Sequence, residues 1–239
     1  MRRIQAVVFD LDDTLYPERE YAWSGFRAVA SAFVKDLDDP ADTVADLQRL
    51  FDSEHRARVF DALLKERFEE VDRALLERMI QTYRQHPPVI TPYADVDAAL
   101  ARLRGSYSLG LITDGRAEAQ WAKIDALNLR PRFDSIIVTG DLKAETPGAP
   151  ETGTDCFSKP HSRAFEEMAR QLGVSASSCA YVADNVSKDF VAPNALGWLA
   201  IRIARADGVY CDAVCAEKGE ARHTIKSLDE LEELLIDPP

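Results

Sequence analysis

Apolar residues recur along this chain with two different periods. A short apolar run, Ile4 to Phe9 with only Gln5 polar, reads as a strand buried on both faces, as in a parallel sheet. The spacing then becomes helical. Trp23, Phe26, Val29, Ala30, Phe33, Val34 and Leu37 predict one long amphipathic helix. Pro40 can open a second, with Val44, Leu47, Leu50 and Phe51 on its inner face. Val59, Phe60, Leu63 and Leu64 predict a third, and Val71, Leu75, Leu76, Met79, Ile80 and Tyr83 a fourth. No strand pattern interrupts this block, which has enough apolar side chains for a core of its own. Pro87, Pro88 and Pro92 then stop helix and stiffen the chain. They mark the return from the helical block, and the outgoing hinge is expected around Tyr16-Pro17-Glu18.

From Tyr93 onward helix and strand alternate. Val96, Leu100 and Leu103 predict a helix, 107–113 a strand, 117–127 a helix and 135–139 a strand. Then come a helix over 162–172, a strand over 179–184, a short helix over 189–196 and a strand over 198–203. Ser227 opens a last helix with Glu230 completing a capping box. Such alternation predicts an α/β fold: a Rossmann-like, doubly wound parallel sheet with an inserted all-α unit. The expected division is 1–16 plus 91–239 for the α/β core and 17–90 for the helical insert. The stretch Lys143 to Ser158, with two prolines, two glycines and several acids, is the one loop of unusual composition, and its length points to function or disorder.

Composition narrows the classes. The chain has 239 residues, is 46% hydrophobic and carries a net charge of -12. That size can bury a sizeable core, and that charge argues against a general nucleic-acid binder. No apolar run reaches the ~20 residues of a membrane span, and Met1-Arg2-Arg3 leads into a short strand rather than a signal peptide. Cys156, Cys179, Cys211 and Cys215 show no convincing spacing. Cys211 and Cys215 with His223 lack a fourth zinc ligand, and the cysteines read as reduced thiols of a cytoplasmic protein.

The candidate chemistry sits at strand ends, where an open α/β sheet binds its ligands. The first strand ends in Asp10, Asp12 and Asp13. Carboxylates this close raise one another's pKa, and Mg²⁺ resolves the conflict because it prefers carboxylates, water and phosphate oxygens. Capping of a helix N-terminus explains one or two of these acids, but not an Asp10 that directly ends an apolar strand. The second strand ends in Thr113-Asp114-Gly115, which can offer a hydroxyl and backbone N–H groups to a phosphate. An ordinary turn explains that piece alone equally well. Lys159, before a helix, is a candidate point cation, although surface lysine is the default reading. Asp184 and Asp189 form a second acidic cluster at a fourth strand end, and Asp189 is equally suited to cap the following helix.

This order of strand-end groups resembles the haloacid dehalogenase superfamily of Mg²⁺-dependent phosphohydrolases. Asp10-Leu11-Asp12-Asp13-Thr14 matches its first motif, Thr113 its second, Lys159 its third, and Asp184 with Asp189 its fourth. A helical insert after the first motif looks like the family's type one cap. The Ile-Thr-Asp-Gly stretch, with Gln120 and Lys123 after it, looks like the phosphatases acting on nucleoside monophosphates and on N-acylneuraminate 9-phosphate. The resemblance implies a Mg²⁺-dependent phosphomonoester hydrolase acting on a nucleoside monophosphate or a sugar phosphate through an aspartyl-phosphate, with Asp10 as nucleophile and Asp12 as general acid and base. It implies Asp10, Asp184 and the Asp12 carbonyl as metal ligands, Asp189 behind them, and Thr113, Asp114, Gly115 and Lys159 around the phosphate. A monomer or homodimer is expected. Ala183 replaces a common Gly and Asp114 a common Asn, and the loop before Lys159 is longer than usual.

Other activities are weighed by the same residues. Dehalogenases of the superfamily lack an acid at the Asp12 position. Phosphonate hydrolysis wants an insert lysine, and Lys35 and Lys65 both sit among charges. Phosphoglucomutase-like transfer and a non-catalytic binding role on this fold stay open. Tyr16, Tyr21 and Trp23 are candidates to pack against a base or sugar, with core packing favoured for Trp23. Arg27 and Arg116 are candidates to meet a second anionic group, with solvated surface favoured for both, and His86 is a weak candidate for any role.

Overall fold

The first apolar run forms strand β1 (Ala6–Phe9), all four residues buried, in a computed structural model that describes residues 3–37, 39–142 and 157–236. Most of the loop at 143–158, and with it Cys156, lies outside those residues. The chain divides into two compact units, Met1–Glu18 with Thr91–Pro239, and Arg19–Ile90.

The first unit is a six-stranded sheet. Its other strands are β2 (Ser108–Thr113), β3 (Ser135–Val138), β4 (Cys179–Ala183), β5 (Leu199–Ile203) and β6 (His223–Ile225). Their order is β3-β2-β1-β4-β5-β6, with every neighbouring pair parallel. The doubly wound α/β architecture expected from the alternation is therefore present. β1 lies inside the sheet, and the strand order reverses beside it; open α/β sheets bind ligands at the carboxyl ends of strands at such a point. β6 is an addition to the sequence reading. Three residues carry no readable alternation, and the strand is defined by its pairing with β5.

Helices cover both faces. Ala6 and Val8 join Phe165, Met168, Tyr181, Phe190 and Trp198 in one apolar cluster, while Phe9 faces the other way, edge-on to Phe133 at 6.1 Å. Helix α8 (Arg163–Leu172), which supplies Phe165 and Met168, lies so close to β2 that a Cβ on Gly110 would sit 2.6 Å from the Met168 sulfur. The expected capping box forms at the C-terminal end: Glu230 Oε1 accepts from the backbone of Lys226 and Ser227, and the Ser227 hydroxyl accepts from Asp229 N–H.

The second unit is all helical: α1 (Glu18–Ala32, whose first residue belongs to the first unit), α2 (Val34–Leu37), α3 (Pro40–Phe51), α4 (Val59–Arg67) and α5 (Arg73–Gln85). The single long helix expected from the Trp23–Leu37 stripe is instead α1 and α2, interrupted at Phe33. The Phe33 N–H to Val29 and Leu37 N–H to Phe33 bonds carry the helical path across the break. Asp39 and Asp72 cap α3 and α5, accepting from Ala41 and Ala74 N–H. The core is aromatic. Phe26 lies within 6.1 Å, centroid to centroid, of Trp23, Phe51, Phe60 and Tyr83, so Trp23 belongs to the core stripe. Tyr21 packs edge-on against Tyr83 and tilted against His86 in the same core, and His86 Nδ1 donates to the Tyr83 carbonyl at 2.6 Å. No helix among the described residues is long and apolar enough to cross a membrane.

Candidate active site

Asp10 leaves the end of β1 with its carboxylate buried. Lys159 reaches it from the segment before α8. The Lys159 ammonium lies 2.7 Å from Asp10 Oδ1, 2.7 Å from Asp189 Oδ1 and 3.0 Å from the Tyr181 hydroxyl. Its side chain is only 1% exposed, which settles the surface-lysine alternative: an ammonium is buried that deeply only against paired charges. The carboxylates hold its pKa well above the ordinary value although burial alone would lower it.

Asp184, just beyond β4, completes the cluster. One oxygen each from Asp10, Asp184 and Asp189 lie within 4.8 Å of one another. Burial, then the charges of Asp189 and Asp10, pushes the Asp184 carboxyl up to about 9. Asp10 is pushed up to about 7 by burial against the opposing pull of Lys159. Three buried acids with one lysine are short of positive charge, and their donor set is all hard oxygen. Both facts fit a divalent cation such as Mg²⁺. Asp189 stands among these oxygens while also accepting from Asn185 N–H at 3.0 Å.

The phosphate-side candidates lie at the end of β2. The Thr113 hydroxyl is fully buried and has no hydrogen-bond partner among the described residues, a condition that an incoming oxyanion would relieve. Gly115 has φ of 133°, open to glycine alone at no cost. The Asp114 carboxylate is occupied as a tie between segments. It accepts from Thr139 Oγ1 and Lys159 N–H at 3.1 Å each and from the Lys188 ammonium at 2.8 Å. Burial would raise its pKa, but Lys159 and Lys188 hold it below the ordinary range.

The other two acids of the first motif part company. Asp13, in the left-handed region at φ 51°, accepts from Glu18 N–H at 2.7 Å and Val209 N–H at 2.6 Å. It caps the start of α1 and ties down a distant loop, the capping role weighed for one of these acids. The Asp12 carboxylate is held by Tyr16, Lys123 and Gln120. Oδ1 accepts from the Tyr16 hydroxyl and from Lys123 Nζ at 2.7 Å, and Oδ2 accepts from Gln120 Nε2 at 3.0 Å. Burial would raise the Asp12 pKa, but Lys123 and these hydrogen bonds hold it below the ordinary value.

Tyr16 is thus fully buried against Asp12, not free to pack on a base or sugar as the sequence suggested. Arg27 and Arg116 are exposed. Tyr181 and Lys188 were missed from sequence. Gln120 and Lys123 had a readable signal. Positions 120, 123, 124 and 127 form the buried stripe of helix α7 (Ala117–Ala126) and its C-cap, and two of those four residues are polar. Cys179 is buried in β4, while Cys211 and Cys215 are exposed, and none of the three forms a disulfide.

Residues 4–197 match the model of a hydrolase family described as haloacid dehalogenase-like hydrolase. A glyceraldehyde 3-phosphate phosphatase from Methanopyrus kandleri is 31% identical over 219 residues, 87% of each chain. An N-acylneuraminate-9-phosphatase from Rattus norvegicus is 33% identical over 95 residues, 40% of this chain and 33% of its own. The magnesium-bound HAD-hydrolase YfnB from Bacillus subtilis superposes with a TM-score of 0.65 at 19% identity, covering 98% of this chain and 99% of its own.

Proposed function

Since the chain belongs to the haloacid dehalogenase-like hydrolase family and is a phosphatase, we propose that it hydrolyses a small sugar phosphate through an aspartyl-phosphate formed on Asp10 with Mg²⁺ bound. The observation that carries this reading is the Asp10 carboxylate held by Lys159 inside the Asp10–Asp184–Asp189 cluster. The preference for a sugar phosphate leans on the glyceraldehyde 3-phosphate phosphatases, similar over most of this chain.

In the proposed reaction an Asp10 oxygen bonds to phosphorus while the bond to the leaving oxygen breaks, its electron pair going to that oxygen. Asp12, whose pKa is held low in the free site, must carry a proton at this step and gives it to the leaving oxygen. Water then attacks the aspartyl-phosphate, Asp12 takes a proton from it, and the bond to Asp10 breaks, releasing inorganic phosphate. Asp10, Asp184 and the Asp12 carbonyl would hold Mg²⁺, with Asp189 behind them. When bound, the ion supplies positive charge that lets nucleophile and phosphate approach. Lys159, 2.7 Å from Asp10 Oδ1, supplies positive charge to the same carboxylate. Thr113 and the N–H groups of Asp114 and Gly115 would orient the transferring oxygens, where positioning and electrostatics dominate phosphoryl transfer.

The test is phosphate release from a panel of phosphomonoesters, with Mg²⁺ and with chelator, for the wild type beside Asp10→Asn. The expected result is Mg²⁺-dependent release that is best with small sugar phosphates and lost at least about a thousandfold in the variant. Retained turnover in Asp10→Asn sinks the nucleophile assignment, and a preference for nucleoside monophosphates would redirect the substrate class.

A further inference from the structure

Asp12 is gripped more completely than any role as a charge alone requires. A free aspartate carboxylate turns about a broad, two-fold torsion, whereas here both oxygens are engaged. A carboxylate offers about four acceptor positions. Tyr16 and Lys123 take two on Oδ1 and Gln120 takes one on Oδ2, which leaves a single position on Oδ2. All three donors are themselves buried: Tyr16 fully, Gln120 at 3% and Lys123 at 6% exposure. Gln120 is anchored in turn, its amide also donating to the Asp114 carbonyl at the end of β2. The Lys123 stem runs past the Tyr16 ring, its ammonium 5.9 Å from the ring centre.

The cost of this arrangement points to a purpose. Position 123 belongs to the buried stripe of α7, where an apolar side chain beside Ile124 would pack without desolvating a charge. Placing a lysine and a glutamine there costs stability, and the partner the two share is Asp12.

We infer that Lys123, Gln120 and Tyr16 are positioning residues that fix the Asp12 carboxylate for proton exchange and reserve one Oδ2 lone pair for the exchanged proton. This rests on the reading of Asp12 as the acid–base group of a phosphatase. The set touches no reacting atom. It acts through Asp12, first when the proton passes to the leaving oxygen as the P–O bond breaks, and again when Asp12 takes a proton from the attacking water.

A purely structural tie between α7 and the loop after β1 involves the same contacts, so the test must separate the two. The wild type, Lys123→Met and Tyr16→Phe are compared with two substrates, p-nitrophenyl phosphate and glycerol 3-phosphate. The first leaves as a stable anion, whereas the second needs a proton to leave. kcat/KM covers binding and formation of the aspartyl-phosphate, and leaves out its breakdown. In Lys123→Met it should fall at least about 100-fold with glycerol 3-phosphate, within the range of general acid catalysis. It should fall by no more than a tenth of that factor with p-nitrophenyl phosphate. A burst of p-nitrophenolate should then appear, because loss of the base slows breakdown of the aspartyl-phosphate.

Tyr16→Phe removes one hydroxyl and keeps the packing, so it carries the same comparison if Lys123→Met does not fold. Its effect should be smaller and in the same direction. Equal losses on both substrates in the folded variants, with no burst, overturn the inference and leave a structural tie. Turnover surviving in Asp10→Asn instead overturns the phosphatase mechanism beneath it.

Discussion

Lys159→Met removes a cation that contacts both Asp10 and Asp189. In the wild type its ammonium lies 2.7 Å from an oxygen of each. At an effective dielectric of about 20, one such pair is worth about 6 kcal/mol. Relief of the desolvation of lysine offsets much of the loss, and breaking a buried pair by removing one partner costs about 3–5 kcal/mol. The cost must depend on pH. Lys159 stays charged throughout, since its pKa is raised. Asp10 already stands near 7 with the lysine present and moves higher without it. A carboxyl raised in the folded state has no penalty below its unfolded value, about 3.9. The penalty grows as pH rises toward the folded value.

The deficit of the variant in chelator should therefore be about 3 kcal/mol at pH 8 and below about 1 kcal/mol at pH 5. Urea unfolding followed by circular dichroism at both pH values measures it. A deficit of the same size at both, or none at pH 8, refutes the reasoning that Lys159 is there to balance the carboxylates.

Two further outcomes follow from the same geometry. Asp184→Asn takes one acid out of a crowded, cation-poor cluster, so the variant in chelator should be no less stable than the wild type. At 100 times its dissociation constant Mg²⁺ should stabilise the wild type by about 2.7 kcal/mol, and Asp184→Asn should lose most of that gain in a thermal-shift titration; an unchanged titration would place the ion elsewhere. Asp95→Asn should cost about 3 kcal/mol, because Asp95 accepts from Arg205 at 2.7 and 3.0 Å and from Leu228 N–H at 2.8 Å. Burial would raise the Asp95 pKa, but these bonds hold it below the ordinary value. Its contribution is thus complete above about pH 4 and fades as the pH falls through the folded value; a difference that persists unchanged at pH 2 would contradict this.

Much of the fold is written in local pattern. A four-residue apolar run, a block of helical stripes and strict alternation after Tyr93 suffice for a parallel sheet and an all-helical insert, because burial of a period-2 or a 3.6-residue face is a local requirement. The candidate residues Asp10, Thr113, Lys159 and Asp184 were readable only as a set, each at a strand end or just before a helix; alone, Thr113 read equally well as an ordinary turn and Lys159 as a surface lysine. β6 was not legible, since three residues pair as a strand only because β5 offers them an edge. Nor does the break between α1 and α2 at Phe33 have a signature in residue type.

What tertiary structure alone decided is the partner of each charge. Asp10, Asp12 and Asp13 are near neighbours in sequence, yet the first faces Lys159, 149 residues away. The second meets Lys123, 111 residues away, and the third meets Val209, 196 residues away. Residue type and spacing specify that a carboxylate is present and which strand end carries it. Its role depends on burial and on the donors that distant segments bring to within 3 Å, and those exist only once the sheet has closed its order around β1.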